Sequence, residues 1–119
     1  MRNLVIKCTC GAEDAERCNQ AFTVAASAAA AGAEVSLWLT GEAAWYGVPG
    51  RAEEFDLRLA TPLDQLRDVV IEHGRLTVCG QCAARREIGE ADVLPGVRIA
   101  GAAVFAEEVL ADDAQALVY

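Results

Sequence analysis

Apolar residues fall into short runs separated by segments of helical period, and this alternation predicts an ordered series of strands and helices. Leu4-Val5-Ile6-Lys7-Cys8 is a β-branched run that stops at Thr9-Cys10-Gly11, the mark of a buried strand followed by a turn. From Asp14 the period changes. Cys18, Phe22, Ala25 or Ala26, and Ala29 recur at helical spacing, with Asp14 placed as an N-cap and Gly32 as a stop. Glu34–Leu39 reads as a second strand, and Pro62–His73 as a helix capped by Thr61 and closed by Gly74. Leu76–Cys79 is a third strand, followed by a short helix through Cys82 and Arg86. Val97–Ala100 reads either as a strand or as an extended connection, Ala102–Leu110 as a last helix, and Ala116–Tyr119 as a closing strand.

Strands that alternate with helices make βαβ units. The expected fold class is therefore α/β, a three-layer sandwich around a mostly parallel, doubly wound, flavodoxin- or Rossmann-like sheet of about five strands. In the flavodoxin-like order the first and third strands are neighbours, which would set the Cys8/Cys10 turn against the Cys79/Cys82 turn.

A length of 119 residues gives one domain spanning 1–119, with no second composition regime and no repeat. The longest uncharged apolar stretch, Ala21–Ala33, is too short to span a membrane, and Leu4–Ile6 is too short for a signal-peptide core. The expectation is a cytoplasmic protein with no membrane partner. A net charge of −8, with only Arg85-Arg86 adjacent among the basic residues, repels phosphate backbones and argues against nucleic acid. It suits solubility or a basic partner protein.

Five cysteines in a reducing compartment are not a disulfide framework, so reactive or metal-binding thiols come forward. Cys79 sits between a strand and a helix start, where free N–H groups favour a thiolate, and Arg85 and Arg86 follow within about two turns. It is the best candidate for an activated nucleophile, or else a small core residue at a strand end. Cys82 completes a Cys-X-X-Cys pair, as in thioredoxin-like redox sites, although the pair falls in the last third of the chain and not after the first strand. Its two readings are a resolving thiol and a helix residue tucked against the sheet. Cys8, Cys10, Cys79 and Cys82 together have the number and chemistry for zinc, but Cys-X-Cys is unlike a zinc knuckle. Cys18 belongs to the core. His73, the sole histidine, caps a helix end, which leaves no Ser/His/Asp set, and "CTCGAEDAE" lacks the glycines of a phosphate loop.

"PLDQLRDVVIEHGRLTVCGQCAARREI", "ADVLPGVRIAGAAVFAEEVL", the closing "ADDAQALVY" and the helix ending in "AGAEVSLWLTGEA" resemble the DsrE/DsrF-like, sulfur-relay (YchN-like) family over essentially the whole chain. The resemblance implies a persulfide carried on the strand-end Cys79, with Arg85 and Arg86 matching the family's arginines and Glu87 standing where a glycine is expected. It also implies a homo-oligomer, trimer or hexamer, with "AAWYGV" either an interface anchor or a satellite core under a loop. The expected function is that of a small sulfur-transfer protein, a possible sulfurtransferase. It would need no dedicated cofactor, and a sulfur-donor or acceptor protein would be its partner. Cys79, Cys82 and Arg86 would form its site, with Cys82, or less readily Cys10, releasing the sulfur. The alternative is a thiol-based zinc-binding or redox-sensing module that uses the same cysteines.

Overall fold

A computed structural model describes residues 2–119. Its elements run β1 (Asn3–Cys8), α1 (Ala15–Ala30), β2 (Glu34–Leu39), α2 (Leu63–His73), β3 (Arg75–Cys79), α3 (Gly80–Arg85), β4 (Val97–Ala100), α4 (Ala102–Val109) and β5 (Ala114–Val118). Three 310 turns lie at Ala12–Asp14, Gly41–Gly47 and Ala52–Glu54. Every strand pair is parallel, in the order β4-β3-β2-β1-β5. The α/β doubly wound sandwich is thus the one the sequence predicts, with a sheet that is wholly parallel.

The period of two along each strand sorts the side chains into two unlike layers. Ile6, Cys8, Val35, Leu37, Leu39, Leu76 and Val78 share one face and join the main core with α1 and α2. Helix α1 contributes Cys18, Ala21, Phe22, Ala25, Ala26 and Ala29, all buried, and its alanines let the backbone lie close to the sheet. Burying Phe22 alone is worth about 2 kcal/mol of transfer free energy. The helix ends where the sequence says it does: Gly32 takes a φ of 100°, and the Ala33 and Gly32 N–H groups return to Ala28 and Ala29 carbonyls.

The opposite face carries Lys7, Ser36, Trp38, Thr77 and Arg98, and α4 alone packs over it. Trp38 meets Phe105 edge to face at 5.3 Å. Glu108 anchors the helix, accepting hydrogen bonds from Ser36 Oγ at 2.6 Å, Trp38 Nε1 at 2.9 Å and Arg98 at 2.7 Å. This layer is held by one carboxylate where the other is held by area.

The strand order corrects the expected one. β2 lies between β1 and β3, so the first and third strands are not neighbours, and the chain reverses direction only when it passes from β4 to β5 beside β1. Each successive βαβ unit steps one strand outward, the commonest choice for consecutive strands. The reversal therefore sits beside the Cys8/Cys10 turn, where Thr9 donates to the Tyr119 carbonyl through both N–H (2.9 Å) and Oγ1 (2.6 Å). Cys79 ends a strand two places away.

The 310 turn Gly41–Gly47 belongs to the core. Tyr46 is buried edge-on against Phe22 and Phe55, and Trp45 stacks on Arg51 with the guanidinium 4.1 Å from the ring centroid. Beside it, Arg67 is buried and forks onto Glu53 at 3.0 and 2.9 Å, tying α2 to the preceding loop. Helix α2 begins at Leu63, with Pro62 and not Thr61 as its flanking residue.

Candidate functional site: a thiol pair at the end of β3

Cys79 is the last residue of β3 and the flanking residue of α3, with an extended backbone (φ −61°, ψ 129°) that hands over directly to Gly80. The strand's apolar run is spent by Val78, and Gly-Gln-Cys-Ala-Ala then turns the chain into one and a half helical turns. Cys79 and Cys82 are both half-buried, whereas Cys8, Cys10 and Cys18 are buried. All five are free thiols.

Burial pushes the Cys79 thiol up. The backbone N–H of Cys82, the Cys82 thiol, the backbone N–H of Gln81 and the Lys7 ammonium act against it and prevail, so Cys79 lies below the ordinary thiol range. Cys82 in turn accepts the backbone N–H of Gly41 at 3.2 Å. Gly41 has a φ of +57°, and a Cβ there would stand 2.9 Å from the Thr9 carbonyl oxygen. The loop after β2 and the turn after β1 thus fix the N–H that meets Cys82.

Arg85 is exposed, and Arg86 is engaged elsewhere. Arg86 donates to the Cys82 carbonyl at 3.1 Å and pairs with Glu42 at 2.8 Å, clamping α3 to the 310 turn. Its guanidinium is thus a strap across the site, and the groups acting most strongly on Cys79 are N–H donors and a thiol. Glu87 takes a φ of 57° as the residue after the helix cap, with Ile88 N–H returning to Ala83 O at 2.9 Å and Glu87 N–H to Ala84 O at 3.1 Å. A left-handed residue is what the turn requires, and glutamate supplies it at a cost in strain.

The remaining thiols form a separate group on the α1 side. Cys8 donates to the Cys10 carbonyl at 3.3 Å. A hydrogen bond with Cys8, reinforced by burial, pushes Cys18 far above the ordinary thiol range. Burial first, and then the neighbouring Cys8, push Cys10 up to about 11. Cys8, Cys10, Cys79 and Cys82 do not converge as a zinc set, and among the described residues no three His, Cys, Asp or Glu side chains are gathered as metal ligands. The physical reason is the strand order, which puts β2 between the two turns. His73 closes α2, exposed and 3.9 Å from Glu72.

Residues 3–116 match the DsrE/DsrF-like family along nearly the full length of the chain. The chain belongs to that family. Its fold is shared by the ychN protein from E.coli, with a TM-score of 0.83 at 18% identity and full coverage of both chains. A protein of unknown function from Methanobacterium thermoautotrophicum superposes with a TM-score of 0.70 at 8% identity, again over the whole of both chains. No curated protein sequence matches.

Sequence reasoning about this DsrE/DsrF-like chain singled out Cys79, Cys82 and Arg86, and the fold sets them along α3, with Cys79 at its amino end, Cys82 within it and Arg86 at its carboxyl end. It missed Gly41 and Lys7. A Thr-Gly-Glu directly after a strand was the available signal for Gly41, since glycine at a strand end marks a sharp turn or a close approach. The signal for Lys7 was a lysine inside an apolar strand, one residue before a cysteine.

Proposed function

We propose that this DsrE/DsrF-like protein is a sulfur carrier that loads a persulfide on Cys79. The observation that carries the reading is that Cys79 is a half-exposed thiol held below the ordinary range by fixed donors, while the thiols of Cys10 and Cys18 are buried and raised. The Cys79 thiolate attacks the outer sulfur of a donor persulfide. A new S–S bond forms at Cys79 Sγ, the donor's S–S bond breaks, and the electron pair leaves on the donor thiolate, with no net oxidation. No general base is needed, because the attacking sulfur is already ionised in part.

In this reading Cys82 finishes the cycle, and the burial of Cys10 on the α1 side counts against that thiol. The Cys82 thiolate can take over the outer sulfur and regenerate the Cys79 thiolate. It can also attack Cys79 Sγ, expel hydrosulfide and leave a Cys79–Cys82 disulfide for an external dithiol to reduce. Arg86, through Glu42 and the Cys82 carbonyl, holds α3 in register with the 310 turn. The donor and acceptor are proteins with accessible thiols, and the net charge of −8 favours basic ones.

The carrier works as a homo-oligomer, a trimer or a hexamer, in the cytoplasm. Exposed Leu110, Leu117 and Val118 along α4 and β5 give it apolar surface to cover, and its free thiols suit a reducing compartment. Among the described residues no helix is long and apolar enough to cross a membrane. Light scattering is expected to give a mass above that of the 12.6 kDa chain, and a concentration-independent monomer would remove the oligomer.

The Cys-X-X-Cys spacing, with Cys79 flanking α3 and Cys82 in its first turn, also favours a second reading, a dithiol–disulfide module. Intact-mass measurement after exposure to a persulfide donor separates the two. A gain of one sulfur, reversed by dithiothreitol and lost in Cys79→Ser, supports the carrier. Loss of two hydrogens with no sulfur gained supports the redox module and overturns the carrier.

A further inference from the structure

We propose that Lys7 is the cationic positioning residue of the sulfur site, holding the negative charge on Cys79 first as thiolate and then as the persulfide's outer sulfur. The inference rests on the carrier reading and extends it to a residue on another strand.

Register places the two on one face. Lys7 lies beside Trp38 and Trp38 beside Thr77, so the three form a row across β1, β2 and β3, and Cys79 is the next residue beyond Thr77 on that side. The lysine side chain is held, half-buried, with Nζ 4.1 Å over the centre of the Phe105 ring. An aromatic face orients an ammonium without neutralising it.

The pairing of the other cations sets Lys7 apart. On the same face Arg98 and Arg75 are both bound to Glu108 at 2.7 and 3.4 Å, and at the site's far side Arg86 is bound to Glu42. Among the described residues no carboxylate lies within ion-pair distance of Lys7. The charged and titratable groups around the site are therefore Lys7 from β1, Glu42 from the 310 turn, Cys82, Arg85 and Arg86 from α3, Arg98 from β4 and Glu108 from α4. The carboxylates in that set are each taken by an arginine. Arg85 is exposed at the carboxyl end of α3, away from Cys79 at its amino end, so Lys7 is the unpaired cation on the sheet face of the sulfur, and its through-space effect on Cys79 has the expected sign.

The test uses the full chain and reads Cys79 by peptide mass after limited alkylation with neutral iodoacetamide or anionic iodoacetate. Lys7→Met is expected to move the iodoacetamide profile to higher pH, slowing Cys79 roughly threefold near neutrality, and to slow iodoacetate more. Lys7→Arg is expected to restore both. A folded Lys7→Met with the parental profile and the parental ratio of the two reagents overturns the proposal, as it would if Lys7 only supported Phe105.

Should Lys7→Met fail to fold, the parent decides through salt. Screening a local cation slows iodoacetate relative to iodoacetamide as ionic strength rises, whereas screening only the net negative field speeds it. Relative slowing supports Lys7, and a relative rise overturns it. A parent that shows these shifts but never acquires sulfur would sink the carrier reading while leaving the pairing of Lys7 with the thiolate in place.

Discussion

Gly41 donates its backbone N–H to the sulfur of Cys82 at 3.2 Å, joining the loop after β2 to the helix after β3 across forty-one positions of sequence. That N–H is aimed by a left-handed backbone, which strains any side chain, and by contact with Thr9, whose carbonyl oxygen leaves no room for a Cβ. Gly41→Ala is therefore expected to destabilise the fold by at least about 2 kcal/mol, combining the left-handed penalty with the Cβ contact. Urea denaturation measures it, and a loss below half that figure would show that the loop relaxes freely.

Glu87 presents the reverse case, a left-handed position without a glycine. Glu87→Gly removes the Cβ penalty, less the greater freedom glycine gains in the unfolded chain, and is expected to stabilise by about 0.5–1 kcal/mol. A higher urea midpoint at unchanged slope is the expected result. A lower midpoint would mean that the glutamate makes contacts outweighing its strain.

Glu108 carries the α4 layer. Burial pushes its carboxyl up, but Arg98, Ser36 and Trp38 hold it below the usual carboxylate range. Its stabilisation is therefore complete above its unfolded pKa, about 4.3, and is lost as the pH falls through the lower folded value. Glu108→Gln is expected to cost about 1–2 kcal/mol at neutral pH, since Arg98 is partly solvated, and nothing in strong acid. Denaturation of the two proteins followed by Trp fluorescence at several pH values checks the convergence.

Cys79 obeys the same sign at a higher pH. Because its folded pKa is lowered, the thiolate adds stability that is present above the unfolded thiol's pKa, about 8.5, and is lost as the pH falls through the folded value. The stability gap between the parent and Cys79→Ser is thus expected to widen from mildly acidic to alkaline pH. A gap independent of pH would mean that the thiol is not perturbed.

Much of this fold is legible because its elements announce themselves locally. The run from Cys18 through Phe22 to Ala29 fixes both a helix and its buried face, Gly32 fixes its end, and Cys79 between Val78 and Gly80 fixes a strand-to-helix junction. What stays hidden depends on partners distant in sequence. Nothing near Arg86 shows that it will reach Glu42, nothing near Arg67 shows that it will be buried on Glu53, and no strand carries the identity of its neighbour. The zinc arrangement failed for that reason. The position of Cys79 was readable from its own neighbours, whereas the groups that set its acidity come partly from β1 and, through Cys82, from the loop after β2.

Of these elements β5 is translated last, yet it pairs with β1, the first of them to emerge. A nascent chain with four strands in place would carry β1 as an open edge, with the backbone groups that later meet Ala114–Val118 unpaired. The sheet cannot close its last seam until a loop of about one hundred residues has been drawn shut, a step that is slow and exposes an apolar strand to other chains. Aggregation during synthesis, more than instability of the finished protein, is the hazard this strand order creates, and variants that weaken β5 are expected to lower yield before they lower melting temperature.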